Sequence, residues 1–182
     1  MGQFWSDHMG GRRAGNSGKR AAGLEIALWD IIGKAAQQPV CQLLGASRQK
    51  IPVYAATSRL LEISQHIEQV KSMIDLGFKA LKLRFHRPDP WSDVEVVEAI
   101  RSEVGDTIEL LVDANQNNFS KVYKFWSRRT AKQVARELDL LNVYFLEEPL
   151  PRNDVEGLAE ISASVDMSLH LSHSREFSRF VR

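Results

Sequence analysis

From residue 51 onward, short apolar runs of strand length alternate with segments of helical spacing, and this alternation constrains the fold more than any other feature. Residues 51–56 read as a strand. Ile63, Ile67, Val70 and Ile74 follow at helical spacing, with Gly77 placed to cap the helix. Residues 80–85 form the next strand. The box Ser92, Asp93, Val94, Glu95 predicts a helix start, continued by Val97, Ile100 and Val104 and ended by Gly105. Residues 108–112 make a third strand. A long loop comes next, then a helix near 130–140 carrying Ala131, Val134, Ala135 and Leu138. Residues 143–146 are a strand and 154–165 a helix with Val155, Leu158 and Ile161. Residues 167–171 open a fifth strand. Strands and helices alternating at intervals of about 30 residues mean βαβ units, a parallel sheet and right-handed crossovers.

Polar residues recur where these strands end. Strand alternation puts Lys82, Arg84 and His86 on one face and Leu81, Leu83 and Phe85 on the other. The same rule groups Glu109, Asp113 and Asn115, and the next strand runs into Glu147, Glu148 and Pro149. Buried charge is costly unless paired or metal-bound, so repeated placement at strand ends marks a site. It favours a (β/α) barrel, whose sites lie at the C-terminal ends of the strands. A doubly wound open sheet is the rival, but no Gly-x-Gly-x-x-Gly follows any strand, which removes support for its dinucleotide-binding version. A full barrel of eight units takes about 250 residues, and only about four to five units follow residue 50. The expected architecture is therefore α/β, a partial (β/α) barrel. Such a half-barrel has open strand edges, covered either by association or by further chain.

Upstream, Leu24, Leu28, Ile31 and Ala35 mark a helix over 21–36, which Pro39 stops; residues 40–44 add a turn ended by Gly45. Residues 1–20, with glycines among Arg12, Arg13, Lys19 and Arg20, read as a flexible segment. The chain has 182 residues, is 43% hydrophobic and carries a formal net charge of +1, which makes no general case for nucleic acid or an anionic membrane. Its single cysteine, Cys41, excludes an internal disulfide and a four-cysteine zinc site. No apolar run reaches the ~18 residues of a membrane span. The first residues lack the apolar core of a secretory signal, so the cytoplasm is the expected location. The loop over 116–129 interleaves Phe119, Tyr123, Phe125 and Trp126 with Lys121, Lys124, Arg128 and Arg129. That pattern suits a lid or a subunit contact beside Asp113 and Asn115, or, as an alternative, single-stranded nucleic acid.

Asp113 and Glu147 are hard oxygen donors on consecutive strand ends, a ligand type that magnesium prefers. Lys82 reaches the same mouth, where it serves a substrate carboxylate or a proton transfer. The alternative is a structural ion pair with Asp113 or Glu147. Arg84 is a poor general base. It either clamps a carboxylate or pairs internally with Glu109 or Asp113. His86 is a base or proton relay, or simply exposed. Glu148 points opposite Glu147, toward a contact that supports the ligands from behind or a contact at the rim.

The run over 22–35 with Trp29 and Asp30, the triplets Gln38-Pro39-Val40 and Leu43-Leu44-Gly45, Lys82-Leu83-Arg84, Val112-Asp113-Ala114-Asn115-Gln116 and Leu146-Glu147-Glu148-Pro149 resemble, together and in order, the mandelate racemase and muconate lactonizing enzyme family of the enolase superfamily. The resemblance implies an N-terminal capping domain, here reduced to its last helices over 21–49 after the flexible segment 1–20. It also implies the N-terminal half of a modified (β/α) barrel over 50–182. It implies Mg2+ held by three carboxylates and removal of a proton α to a substrate carboxylate, ending in racemization, dehydration or cycloisomerization. Asp113 and Glu147 take the places of the first two metal ligands. Asn115 contacts substrate or supports that shell, with His86 beside it. Lys82 takes the first place of the family's Lys-x-Lys motif, and Arg84 the second, where the base is usually lysine. Where the family places its third ligand the chain reads Leu171-Ser172-His173-Ser174-Arg175-Glu176, which makes His173 and Glu176 the nearest substitutes. The implied function is an acid-sugar dehydratase or racemase acting on a sugar acid, with no nucleic-acid or membrane partner and association into a homo-oligomer open. The alternatives are a muconate-type cycloisomerase or dipeptide epimerase, and an inactive remnant or binding half-barrel. The 182-residue chain by itself is expected to turn over little.

Overall fold

The computed structural model describes residues 14–85, 87–117 and 125–171. The chain divides into two compact units, Met1–Ile51 and Pro52–Arg182, each with its own organisation.

The first unit contains helix α1 (Ala14–Ala36) and the short helix α2 (Val40–Leu43). α1 begins at Ala14, so residues 14–20 are helical rather than loop. Single glycines such as Gly15 and Gly18 cost a helix only about 1 kcal/mol each relative to alanine, which a long helix absorbs. α1 ends before Pro39. Gln37 adopts φ 53°, and the Gln37 and Gln38 amides donate back to the carbonyls of Lys34 (3.2 Å) and Gly33 (3.0 Å), a Schellman closure. Gly33 permits it, because a Cβ there would meet the Gln38 carbonyl at 3.0 Å. Leu24, Leu28, Ile31 and Ile32 are exposed along α1.

The second unit runs β1 (Ala55–Ala56), α3 (Ile63–Asp75), β2 (Ala80–Arg84), α4 (Pro90–Val104), β3 (Glu109–Asp113), α5 (Arg128–Leu140), β4 (Val143–Glu147), α6 (Val155–Ser162) and β5 (Ser168–His170). The strands lie in chain order, β1-β2-β3-β4-β5, and every neighbouring pair is parallel. An order without reversal has no doubly wound switch point. Right-handed crossovers then stack α3, α4, α5 and α6 in a row against one face of the sheet. The unit is a partial (β/α) barrel.

Two segments differ from the sequence expectation. Within 51–56 only Ala55 and Ala56 pair with β2; Pro52 has no amide to give a ladder, and Ile51 and Val53 are exposed. α4 starts at Pro90, capped by Asp89, whose carboxylate accepts from the Trp91 amide at 3.2 Å. Proline is preorganised for the first helical position, so Asp89-Pro90 outcompetes the box at Ser92.

The helix-facing side of the sheet carries Leu81, Leu83, Leu110, Val112, Leu146 and Leu169. These pack on Val70, Val97, Ile100, Val134, Leu138 and Ile161. Each such buried aliphatic contributes about 1.5–3 kcal/mol relative to exposure. The opposite, barrel-facing side carries Lys82, Leu111, Asp113, Phe145 and Glu147. The phase of β4 is set by an irregularity. Leu110 pairs with Val143 but Leu111 with Phe145, leaving Tyr144 as an extra, exposed residue. This bulge places Glu147 level with Asp113. In uninterrupted register Leu146 would stand there, and Glu147 would turn toward the helices. Among the described residues no helix is long and apolar enough to cross a membrane.

Candidate active site

The C-terminal ends of β2, β3 and β4 bring three charges together. Arg84, Asp113, Glu147 and His170 share one level across the sheet, and Lys82 starts one layer below, opposite Leu111. The Lys82 side chain climbs that layer. Its Nζ lies 3.1 Å from Asp113 Oδ2 and donates to Glu147 Oε2. Lys82 and Asp113 expose only 6% and 5% of their surface. Burial pulls the Lys82 pKa down, but the hydrogen bond to Glu147 and the charge of Asp113 outweigh it, so the ammonium is held above its ordinary value. The Tyr54 ring stands 5.8 Å from Nζ. One ammonium between two carboxylates leaves the trio net negative.

The backbone around Asp113 fixes its carboxylate. Asn115 takes φ 52°, a left-handed conformation that asparagine tolerates. Its amide donates to Asp113 Oδ1 at 3.0 Å, so one oxygen is committed there and the other faces Lys82. The Asn115 side-chain amide donates to the carbonyls of Asp113 (3.1 Å) and Phe85 (3.4 Å), tying β3 to the end of β2. Asn115 therefore supports the acidic residue directly. Glu148 also turns left-handed, at φ 50°, which separates it from Glu147. Its carboxylate accepts from Asn117 Nδ2 at 3.3 Å, the rim contact expected from sequence.

Arg84 projects outward with a half-exposed side chain, its Nε 4.0 Å from Asp113 Oδ2, beyond hydrogen-bond range. Glu109 does not join it. β2–β3 register sets Glu109 beside Ala80, at the opposite strand end and about 13 Å from Asp113. Grouping Glu109 with Asp113 and Asn115 is thus corrected: Asp113 and Asn115 lie together, and Glu109 stands at the other end of the strand. His86, His173, Glu176 and the loop residues Phe119, Lys121, Tyr123 and Lys124 lie outside the described residues. The end of that loop is anchored. Trp126 packs edge-on to Phe85 at 6.1 Å between centroids, and its amide donates to Gln116 Oε1. Arg128 belongs to α5 and pairs with Asp154, Glu156 and Glu160.

Sequence reasoning missed two supports. Thr57 is buried, and its Oγ1 accepts from the Arg84 amide at 3.2 Å. Arg87 donates to Asp93 through its amide (2.8 Å) and Nη1 (2.7 Å) and reaches the Leu61 carbonyl with Nη2, clamping the loop after β2 to the segment after β1. A polar residue directly after a strand signals Thr57; no sequence spacing signals the Arg87–Asp93 pair.

Asp113 and Glu147 converge on one cationic atom with hard oxygens, a donor pair that suits a divalent cation. Among the described residues no group of three histidine, cysteine or acidic side chains completes such a site.

The family model for the enolase C-terminal domain-like region matches residues 65–180, and that for the mandelate racemase / muconate lactonizing enzyme N-terminal domain matches residues 9–45. The chain belongs to the mandelate racemase / muconate lactonizing enzyme family. It is 32% identical to the L-talarate/galactarate dehydratase of Salmonella typhimurium over 85% of its own length and 37% of that protein's. It is 33% identical to the 3,6-anhydro-alpha-L-galactonate cycloisomerase of Streptomyces coelicolor over 87% of its length and 42% of that protein's. Among solved family structures, a racemase from Streptomyces coelicolor with bound magnesium superimposes with a TM-score of 0.71 at 32% identity, over 81% of this chain and 42% of that one. L-Talarate dehydratase from Polaromonas, complexed with magnesium and L-glucarate, gives 0.68 at 32% identity, over 80% and 39%. The chain thus spans about two-fifths of the length of the family members it matches.

Proposed function

We propose that this chain supplies the first part of the site of a magnesium-dependent enzyme that removes the proton α to a carboxylate, of the acid-sugar dehydratase kind. The observation that carries the reading is the convergence of Asp113 and Glu147 on a single cation at the C-terminal ends of neighbouring parallel strands. Family relatives named as sugar-acid dehydratases, among them the arabinonate dehydratase of Saccharolobus solfataricus at 30% identity, support the substrate class.

Asp113 and Glu147 would hold Mg2+, which when bound offsets the negative charge that grows on substrate carboxylate oxygens as the α proton leaves. Asn115 keeps the Asp113 carboxylate aimed through its amide. Lys82 is the ammonium nearest the substrate carboxylate. Arg84, half exposed at the mouth, grips an anionic oxygen rather than taking a proton. The proton acceptor therefore lies outside Lys82-Leu83-Arg84 in this reading or is Lys82 itself.

The test is calorimetric titration of the folded chain with Mg2+, followed by galactarate, L-talarate, arabinonate and gluconate. The expected result is magnesium uptake lost in Asp113→Asn, with sugar-acid binding that depends on magnesium and weakens in Arg84→Gln. A folded sample that takes up no magnesium overturns the metal assignment. Sugar-acid binding indifferent to magnesium overturns the substrate assignment.

A further inference from the structure

Accepting Asp113 and Glu147 as ligands of a divalent cation, we infer that Lys82 is a tethered competitor for the cation's place and must leave before the ion can enter. Its Nζ contacts the same two oxygens, Asp113 Oδ2 and Glu147 Oε2, that would face the ion. An ammonium hydrogen-bonded to those oxygens uses the lone pairs a metal needs. Two cations sharing them would also repel at short range, beside the buried Lys82 and Asp113 and the partly buried Glu147, where salt screens poorly.

Asp113 cannot serve both cations by turning over. Its Oδ1 already accepts the Asn115 amide, and the φ 52° turn at Asn115 holds that amide in place. The mobile partner is the lysine, a point charge on a four-carbon stem that climbs from the level of Leu111. The Tyr54 ring stands beside it, and Arg84 stands outward at the rim, 4.0 Å from Asp113 Oδ2. An ammonium displaced toward the rim meets the Arg84 guanidinium, and the like charges are offset only by an incoming anion. Metal entry therefore arms Lys82 and Arg84 as a pair for a carboxylate. Binding is ordered, ion first and acid second, and without metal the trio closes on itself.

The experiment titrates Mg2+ into the full chain and into Lys82→Met by calorimetry. The expected result is magnesium affinity about tenfold or more higher in the variant, the scale of one charged hydrogen bond no longer competing. Equal or weaker affinity in a folded variant overturns the inference and leaves the ligand assignment standing. No uptake by either protein overturns both. Should Lys82→Met fail to fold, the wild-type chain decides. Acetylation by acetic anhydride, read by mass spectrometry, is expected to rise several-fold at Lys82 when Mg2+ is added, and unchanged labelling at that position overturns the displacement.

Discussion

Two shielded cations stand at opposite ends of the same strands, and their company differs. At the N-terminal end, Arg101 of α4 donates only to neutral carbonyls: Leu141 (2.9 Å), Gly105 (2.7 Å), Ile108 (2.9 Å) and Asn142 (2.8 Å). Burial draws its pKa below the usual arginine value, with Asp106 pulling weakly the other way. At the C-terminal end, Lys82 sits between two carboxylates that overcome its burial and raise its pKa. Arg101 satisfies backbone carbonyls of two turns, one before β3 and one before β4, and its planar fork ties them together. Lys82 satisfies charges that, in the reading proposed above, a divalent cation would also satisfy. One end of the sheet holds its cation with neutral backbone, the other with carboxylates, and sites of such barrels lie at the C-terminal face.

The contrast breaks hardest at Arg101. Arg101→Ala removes four hydrogen bonds, two of them part-buried, and should cost about 2–3 kcal/mol of unfolding free energy in a urea titration, while leaving magnesium affinity unchanged. If that variant instead lost the metal, the two ends would not be separable. Next, Asp113→Asn should weaken magnesium binding more than about tenfold, equivalent to ~1.4 kcal/mol or more. It should disturb stability less than Arg101→Ala, since Lys82 keeps Glu147. Thr57→Val removes the acceptor of the Arg84 amide and should cost about 1 kcal/mol of stability, with weaker sugar-acid binding through a looser Arg84.

The smallest effect lies at the surface cluster around Arg128. Its hydrogen bond to Asp154 (2.9 Å), against a small burial cost and helped by the Gly157 amide, holds the Asp154 carboxyl below the usual range. A carboxyl depressed on folding stabilises above its unfolded value, near pH 4. That contribution disappears as pH falls through the lower folded value. Arg128→Ala should therefore lower the melting temperature slightly near neutrality and leave it unchanged at the lowest pH, which flattens the acid side of the profile.

How much of this could be read from residues alone varies with the physics. The strands and helices could, because apolar periods of two and 3.6 survive without tertiary knowledge, and Gly77 (φ 94°) and Gly105 (φ 65°) sit where helix ends need them. Asp113 and Glu147 stood out because carboxylates ending apolar strands have few cheap explanations. Other features could not be read. Asp89-Pro90 and the box at Ser92 are both sound helix starts, and only the packed fold chooses between them. Arg101 looks like any solvated helix cation until the turns it bridges are in place. Of the two readings of Lys82, site residue or ion pair, the structure shows the ion pair with Asp113 and Glu147, and the site reading belongs to the proposal above.

Tyr144 carries a last consequence. Because Tyr144 is held outside the ladder, the acid at the far end of β4 faces the same way as if that residue were not there. Removing Tyr144 itself would leave Val143, Phe145, Leu146 and Glu147 opposite Leu110, Leu111, Val112 and Asp113, whereas drawing Tyr144 into the ladder would rotate Glu147 away from Asp113. The bulge is thus a slack link: the strand tolerates one residue fewer at that point, and the acid keeps its aim only while the surplus stays outside the ladder.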